Sequence, residues 1–225
     1  ANAPAFANPP VYDFSGSTDL IADLQVSYQQ PMLAGCKTNL RQFAGTAYDQ
    51  RPVAPTMFIH PGQEYQANIT NQLPNVEQSN ALAVRKLDGH PMHEKLGSHG
   101  GQSTIFGYIP PENLNVNHNE PGHFNVTNLH THGWHVNPTE NHDNIFAAIG
   151  PGDPTYLQQV DLPADHVAGT FWYHAHVHGS TAIQVASGMA GALIVVDPSK
   201  GLDAIPQIAE AKDFVFVMQQ LAYDE

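Results

Sequence analysis

Histidine occupies every second position in two short segments, LHTHGWH at residues 129–135 and FWYHAHVHGS at residues 171–180. Each segment holds three of the chain's 14 histidines. In a β-strand, residues i and i+2 lie on the same face, about 6.5–7 Å apart. Each segment therefore predicts two imidazoles side by side.

Two such pairs on neighbouring strand ends would place four neutral nitrogen donors around one spot. Imidazole is a ligand for copper, zinc, nickel and iron. One H-x-H pair is a weak signal, but two pairs that each close a strand predict a metal site. The spacing leaves open whether the pairs converge on one ion or serve two adjacent ions. His135 and His178 lie off the alternation or beyond the strand, which favours a supporting or surface role. The candidate ligands are His130, His132, His174 and His176.

A zinc hydrolase is the first alternative. His130, His132 and His135 form H-x-H-x-x-H, close to the H-x-H-x-D-H motif of metallo-β-lactamase-like hydrolases. That motif has an aspartate before its third histidine, where this chain has Trp134. The αββα fold of those enzymes also needs long helices, which this sequence pattern does not predict. The sequence therefore disfavours a zinc hydrolase.

The elements that must position these histidines are predicted to be β-strands. Short alternating segments separated by Pro, Gly and Asn are typical of an all-β antiparallel sandwich. Short helical turns are predicted at 181–187 and 206–212. Cys36 lies in an alternating run and is predicted to be a buried thiol, and Trp172 and Tyr173 are predicted to pack in the core. The predicted strands are 24–28, 36–43, 57–59, 65–71, 124–130, 156–162, 170–174, 191–197 and 214–221.

Residues from about 75 to 122 break the strand rhythm and are rich in Gly, Pro, Asn and His. A compact sandwich rarely needs so long a connection, so we expect an insertion with little regular structure. Histidines in a polar loop usually bind nothing, although this loop carries residues that could contact a soft metal. These residues are His90, Met92, His93 and His99.

The composition limits the possible partners. The chain has 225 residues, with 8 Lys and Arg against 21 Asp and Glu and a net charge of −13. Such a charge disfavours nucleic acids and anionic membranes. No segment approaches the roughly 20 apolar residues of a membrane-spanning helix. A single cysteine excludes an internal disulfide. The chain begins ANAPAF without Met, which fits signal cleavage, and we expect a secreted or periplasmic protein.

Three stretches resemble the multicopper oxidases of laccase and cuprous-oxidase type. They are LRQFAG to ITNQL within residues 40–73, NLHTHG, and GTFWYHAHVHGSTAIQVASGMAGALIVVDP. The resemblance implies a cupredoxin-like Greek-key β-sandwich with a long inserted loop. It also implies a copper enzyme that couples one-electron oxidation of phenols or metal ions to the four-electron reduction of O₂ to water.

The resemblance assigns the histidines to the trinuclear copper cluster of that family. His130 would bind the type 2 copper, His132 and His174 one copper of the type 3 pair, and His176 the other. Asp143 lies where the family has an acidic residue that hydrogen-bonds near the type 2 copper and helps to deliver protons. It is the candidate catalytic residue.

The family's cluster uses eight histidine ligands, and the two H-x-H pairs of this chain supply only four of them. The resemblance therefore implies that the other half of the ligands lies outside the chain. The type 1 copper needs a cysteine flanked by histidines, whereas Cys36 lies between Gly35 and Lys37. We therefore predict that 1–198 is a first cupredoxin-like domain and 199–225 a linker with the first strand of a following domain. The other cupredoxin domains would be its partners, and the chain alone would be inactive.

Two other interpretations remain. One is a non-catalytic copper-binding or sequestering module, supported by the His and Met residues of 90–99. The other is an oligomer whose subunits complete the cluster, which is disfavoured because such relatives carry the type 1 cysteine in each chain. If the oxidase interpretation holds, the histidine face should be open rather than wholly buried against the chain's own core.

Overall fold

The computed structural model describes residues 7–16, 20–33, 35–45, 51–75 and 123–220. Within these ranges the chain forms eleven β-strands, two short α-helices and one 3₁₀ helix. The strands are β1 (Val11–Asp13), β2 (Ile21–Gln29), β3 (Met32–Leu33), β4 (Cys36–Lys37), β5 (Leu40–Gly45), β6 (Thr56–Ile59), β7 (Glu64–Asn71), β8 (His130–His132), β9 (Tyr156–Asp161), β10 (Gly169–His174) and β11 (Ala190–Val195). The helices are α1 (Thr181–Ala186), the 3₁₀ helix Gly201–Ala204 and α2 (Pro206–Ala209).

Two sheets form the sandwich. One has the strand order β1-β6-β11-β10-β8 and the other the order β5-β2-β7-β9, while β3 and β4 form a separate hairpin. The prediction of an all-β sandwich is confirmed. The sheets are mixed rather than purely antiparallel, because β6 runs parallel to both β1 and β11 and β2 runs parallel to β7.

The core forms from residues that alternate along the strands. On β2, Ala22, Leu24 and Val26 are buried while the residues between them are exposed, and β7 buries Tyr65 and Ile69 in the same way. Burying a side chain the size of Leu or Ile stabilises the fold by about 1.5–3 kcal/mol. The period of two therefore determines which face of each strand enters the sandwich.

Most of the predicted elements are confirmed, with small shifts at their ends. The strand predictions 24–28, 57–59, 65–71, 156–162, 170–174 and 191–197 correspond to β2, β6, β7, β9, β10 and β11. The two helical turns correspond to α1 and α2. No helix in the described ranges is long and apolar enough to cross a membrane.

The prediction of one continuous strand over 36–43 is wrong, because the strand is interrupted at residues 38–39 and only 40–43 belong to β5. The backbone N–H and hydroxyl of Thr38 both donate to the carbonyl of Pro31, at 3.1 and 2.8 Å. Cys36 therefore belongs to the β3–β4 hairpin and is exposed, not buried as predicted.

One further strand prediction is wrong, because segment 124–130 is irregular until β8 begins at its last residue. The described part of 214–221 forms no β-strand here, and the strand predicted there for a following domain stays a prediction. The start of this segment is held by Asn8, whose side chain donates to the Asp213 carbonyl at 3.2 Å and accepts from the Val215 N–H at 3.0 Å.

The two ends of the predicted insertion meet at one point. The side-chain amide of Asn125 donates to the Pro74 carbonyl at 2.7 Å, and that of Asn71 donates to the Asn125 carbonyl at 2.8 Å. Residues 76–122, including His90, Met92, His93 and His99, lie outside the described residues.

We predict that the sandwich tolerates removal of 76–122. Replacing this segment by about four to six Gly and Ser residues should leave the free energy of unfolding undiminished, because a shorter loop costs less closure entropy. Urea unfolding followed by far-UV circular dichroism measures it. Loss of a cooperative transition would contradict the prediction.

Burial should make the fold sensitive to alkali. It raises the pKa of Tyr156 to about 12 and those of Tyr65 and Tyr173 above their usual value. Above pH 10 the unfolded chain releases protons that the folded chain keeps, so the free energy of unfolding should fall as pH rises. In Tyr156→Phe the slope between about pH 10 and 12 should be shallower by up to about 1.4 kcal/mol per pH unit. An unchanged slope would contradict this.

Candidate metal site

The pairing of β8 with β10 brings the two histidine segments together. The strands are antiparallel, with His130 opposite His174 and His132 opposite Trp172. Thr131, between the two β8 histidines, is buried in the interior. Because neighbouring residues on a strand point to opposite faces, His130 and His132 project from the outer face of the sheet.

All four predicted ligands lie close together. One ring nitrogen from each of His130, His132 and His174 lies within 4.8 Å of the other two. His176 lies beyond the end of β10. Its ring centroid is nevertheless 5.0 Å from that of His130 and 5.4 Å from that of His174.

The cluster is open on one side. His174 is buried, His130 and His176 are half-buried, and His132 is exposed. The histidine face is therefore not wholly buried against the chain's own core. An open face is what the oxidase interpretation requires. Other ligands could approach from the side of His132.

Asp143 holds the His130 ring from inside the domain. Its Oδ1 accepts the backbone N–H of Thr131 at 3.0 Å and lies 3.0 Å from His130 Nδ1, while its Oδ2 accepts the Thr131 hydroxyl at 2.8 Å. The carboxylate is only 6% exposed. Since a carboxylate accepts, Nδ1 of His130 carries the proton and Nε2 keeps a lone pair for a metal.

His174 and His176 also offer bare nitrogens. His174 Nδ1 lies 2.9 Å from the Ala175 carbonyl, which can only accept, so its Nε2 carries the lone pair. Among the described residues, neither Nε2 of His174 nor Nδ1 of His176 has a hydrogen-bond partner, although both atoms are buried. Buried polar atoms are rarely left unsatisfied. A bound metal would satisfy them.

Burial also favours the neutral form of these two rings. Desolvation is the main cause that lowers the pKa of His174 and of His176, and the neighbouring His130 lowers both further. A neutral imidazole is the form that binds a metal. The donor set therefore fits a transition metal such as copper.

Trp172 belongs to this site, and its predicted place in the core is wrong. Its side chain is 40% exposed. The indole stacks on His174, with ring centroids 4.2 Å apart, and lies 5.0 Å from His132. The i, i+2 relation to His174 was the signal that could have placed it there. Tyr173 lies in the core as predicted, and its hydroxyl donates to the Pro55 carbonyl at 2.7 Å.

His135 and His178 are not brought into the cluster in the same way. The exposed His135 has its ring 5.5 Å from that of His166. The exposed His178 stacks against Phe146, and its ring lies 6.3 Å from that of His176. The arrangement is consistent with the supporting or surface role predicted for both.

Residues 104–200 match the sequence family described as Multicopper oxidase. The fold is similar to McoA multicopper oxidase from Aquifex aeolicus (TM-score 0.54, 18% identity, 92% of this chain and 32% of that one). It is also similar to the Campylobacter jejuni multicopper oxidase described as a metallo-oxidase (TM-score 0.52, 19% identity, 85% of this chain and 29% of that one). A third similar structure is the multi-copper oxidase of Pediococcus acidilactici (TM-score 0.52, 14% identity, 91% of this chain and 31% of that one).

These comparisons establish the fold. The described part of the chain is a cupredoxin-like Greek-key β-sandwich, as the sequence predicted. The segment 104–200, which matches the multicopper oxidase family, contains all four clustered histidines and Asp143. The chain spans about a third of the length of the solved structures that it matches.

The contact between Asp143 and His130 predicts the ring tautomer. In metal-free protein, ¹⁵N NMR should show His130 protonated at Nδ1. Asp143→Ala removes the acceptor, so the Nε2-protonated form should appear, and loss of the Thr131 contacts should destabilise the fold by about 1–3 kcal/mol. Asp153→Ala is the control, because Asp153 caps the N–H of Gly150 and should leave the tautomer unchanged. An unchanged His130 tautomer in Asp143→Ala would contradict the assignment.

Proposed function

We propose that this chain is the N-terminal part of a copper-dependent oxidase. Its four clustered histidines would supply half of the ligands of a trinuclear copper cluster. When bound, the copper cluster would supply the four-electron reduction of O₂ to water, driven by one-electron oxidation of phenols or metal ions. The observation that carries the proposal is the convergence of bare imidazole nitrogens on one open sheet face within the multicopper oxidase match.

The nature and openness of the donor set support copper. Imidazole nitrogens suit copper in its common geometries. Because His132 is exposed and the cluster opens beside it, ligands from another domain could approach there. Following the family resemblance, we assign His130 to the type 2 copper, His132 and His174 to one type 3 copper, and His176 to the other.

Asp143 is proposed to act from behind His130. The hydrogen bonds of its carboxylate fix the ring orientation, and such partners of metal-bound histidines tune metal affinity. Asp143 would also hold a proton close to the site and help to deliver it during O₂ reduction, which suits a carboxylate near metal-bound water.

The electron-accepting type 1 copper would be held by another part of the oxidase. Cys36 lies in the β3–β4 hairpin between Gly35 and Lys37, so no neighbouring histidine accompanies it. The partners would therefore be the remaining cupredoxin domains, O₂ and a small phenol or metal ion. We also propose a secreted or periplasmic location.

Copper titration tests the proposal. Wild-type protein should bind Cu(II) in competition with a chromophoric chelator, and His130→Ala and His174→Ala should each weaken binding at least tenfold. His178→Ala and His142→Ala are the controls and should bind as the wild type does. With a phenol or with cuprous ion, the chain alone should consume O₂ no faster than the same mixture without protein.

The same titration separates the oxidase from a copper-sequestering module. If His130→Ala and His174→Ala bound copper as tightly as the wild type, the oxidase ligand assignment would be contradicted. If binding then disappeared on replacing 76–122 by a linker, the sequestering function would be supported instead.

A further inference from the structure

We propose that Asn128 is the positioning residue that brings His176 to the other three histidines. The inference rests on the proposed copper function and adds a residue that belongs to neither H-x-H pair. His130 and His132 are placed by β8, and His174 by β10. His176 lies after β10 has ended, so the strand ladder does not fix its place.

The side chain of Asn128 supplies that missing constraint. Its Oδ1 accepts the backbone N–H of His176 at 2.7 Å. Asn128 precedes His130 by two residues. This bond therefore connects the backbone at His176 to the backbone that leads into His130. His176 can therefore hold its ring 5.0 Å from that of His130 without belonging to a strand.

Asn128 also fixes the loop that follows Asp143. Its Nδ2 donates to the carbonyls of Ile145 and Ala147, at 2.9 and 3.1 Å. The residue is 1% exposed, and both ends of its amide are hydrogen-bonded. One amide thus joins the segment before β8, the segment after β10 and the loop after Asp143. Removing it would leave buried backbone groups unsatisfied and lower the stability of the fold.

Asn71 offers a matched control for this role. It is 2% exposed, and its Nδ2 donates to the carbonyls of Asn125 and Ile149, both at 2.8 Å. Its Oδ1 accepts the N–H of Leu73 at 3.0 Å. Asn71→Ala and Asn128→Ala therefore remove the same three kinds of hydrogen bond, but only Asn128 contacts a histidine of the cluster.

The first experiment uses metal-free protein and does not depend on copper. Amide hydrogen exchange should show that the N–H of His176 is protected in wild type and in Asn71→Ala. In Asn128→Ala this amide should exchange at least tenfold faster, beyond the change expected from the shared loss of stability. Equal exchange at His176 in the two variants would overturn the positioning role.

The second experiment measures Cu(II) affinity. Asn128→Ala should weaken it at least tenfold and Asn71→Ala should leave it unchanged. Adding His176→Ala to Asn128→Ala should weaken binding no further than His176→Ala alone, because both changes remove the same ligand. Additive losses, or equal losses in Asn71→Ala and Asn128→Ala, would overturn the inference.

Asn128→Asp keeps the experiment decisive if the alanine variant does not fold. Its carboxylate retains the acceptor for the His176 N–H but loses the donor to the two carbonyls. It should therefore be less stable than wild type yet keep the His176 amide protected. Loss of that protection would overturn the inference. If wild-type protein bound no copper while the exchange results held, the copper function would fail and the positioning role would stand.

Discussion

The antiparallel pairing of β8 with β10 is the constraint on which the candidate site depends. With Thr131 and Tyr173 turned into the sandwich, the residues on either side of them must face outward. The register sets His130 directly opposite His174. A slip by one residue would turn the histidines into the core and the core residues into solvent. The apolar interior therefore enforces the geometry of a polar site on its outer surface.

Around this pairing, side-chain amides replace strand hydrogen bonds. Gln184 of α1 is fully buried, donates to the carbonyls of Phe124 and Val126, and accepts the hydroxyl of Thr127. Asn128 continues the pattern toward His176. Buried backbone groups must be paired, and here amide side chains pair them without a regular sheet. Such a network holds an irregular segment rigidly, which suits a segment that presents ligands.

The sequence predicted the elements whose pattern is local. The period of two identified β2, β7 and β10, and it placed His130 beside His132. The alternation could not reveal that 124–130 is irregular. An alternating segment predicts a strand even where its backbone carbonyls accept from a side chain such as Gln184 and not from a neighbouring strand. The pattern also misplaced Cys36 and Trp172. Whether an alternating residue faces the core depends on which strands pair, and a single sequence does not state that register.

The site itself was predicted in part. Its four histidines and Asp143 followed from spacing and from resemblance to the multicopper oxidases. The stacking of Trp172 on His174 could have been read from their i, i+2 relation, whereas the hydrogen bond that Asn128 accepts from the His176 N–H needed the tertiary structure. Asn128 immediately precedes one histidine segment and Trp172 lies in the other, but the alternation of histidines says nothing about what the Asn128 side chain contacts.

Anomalous diffraction at the copper absorption edge, from crystals of the protein grown with Cu(II), would show whether the histidine cluster binds copper. We expect copper density on the open face of the β8–β10 pair, within bonding distance of Nε2 of His174 and of ring nitrogens of His130 and His132. Copper density found only elsewhere, such as at Cys36 or against residues 76–122, would contradict this expectation.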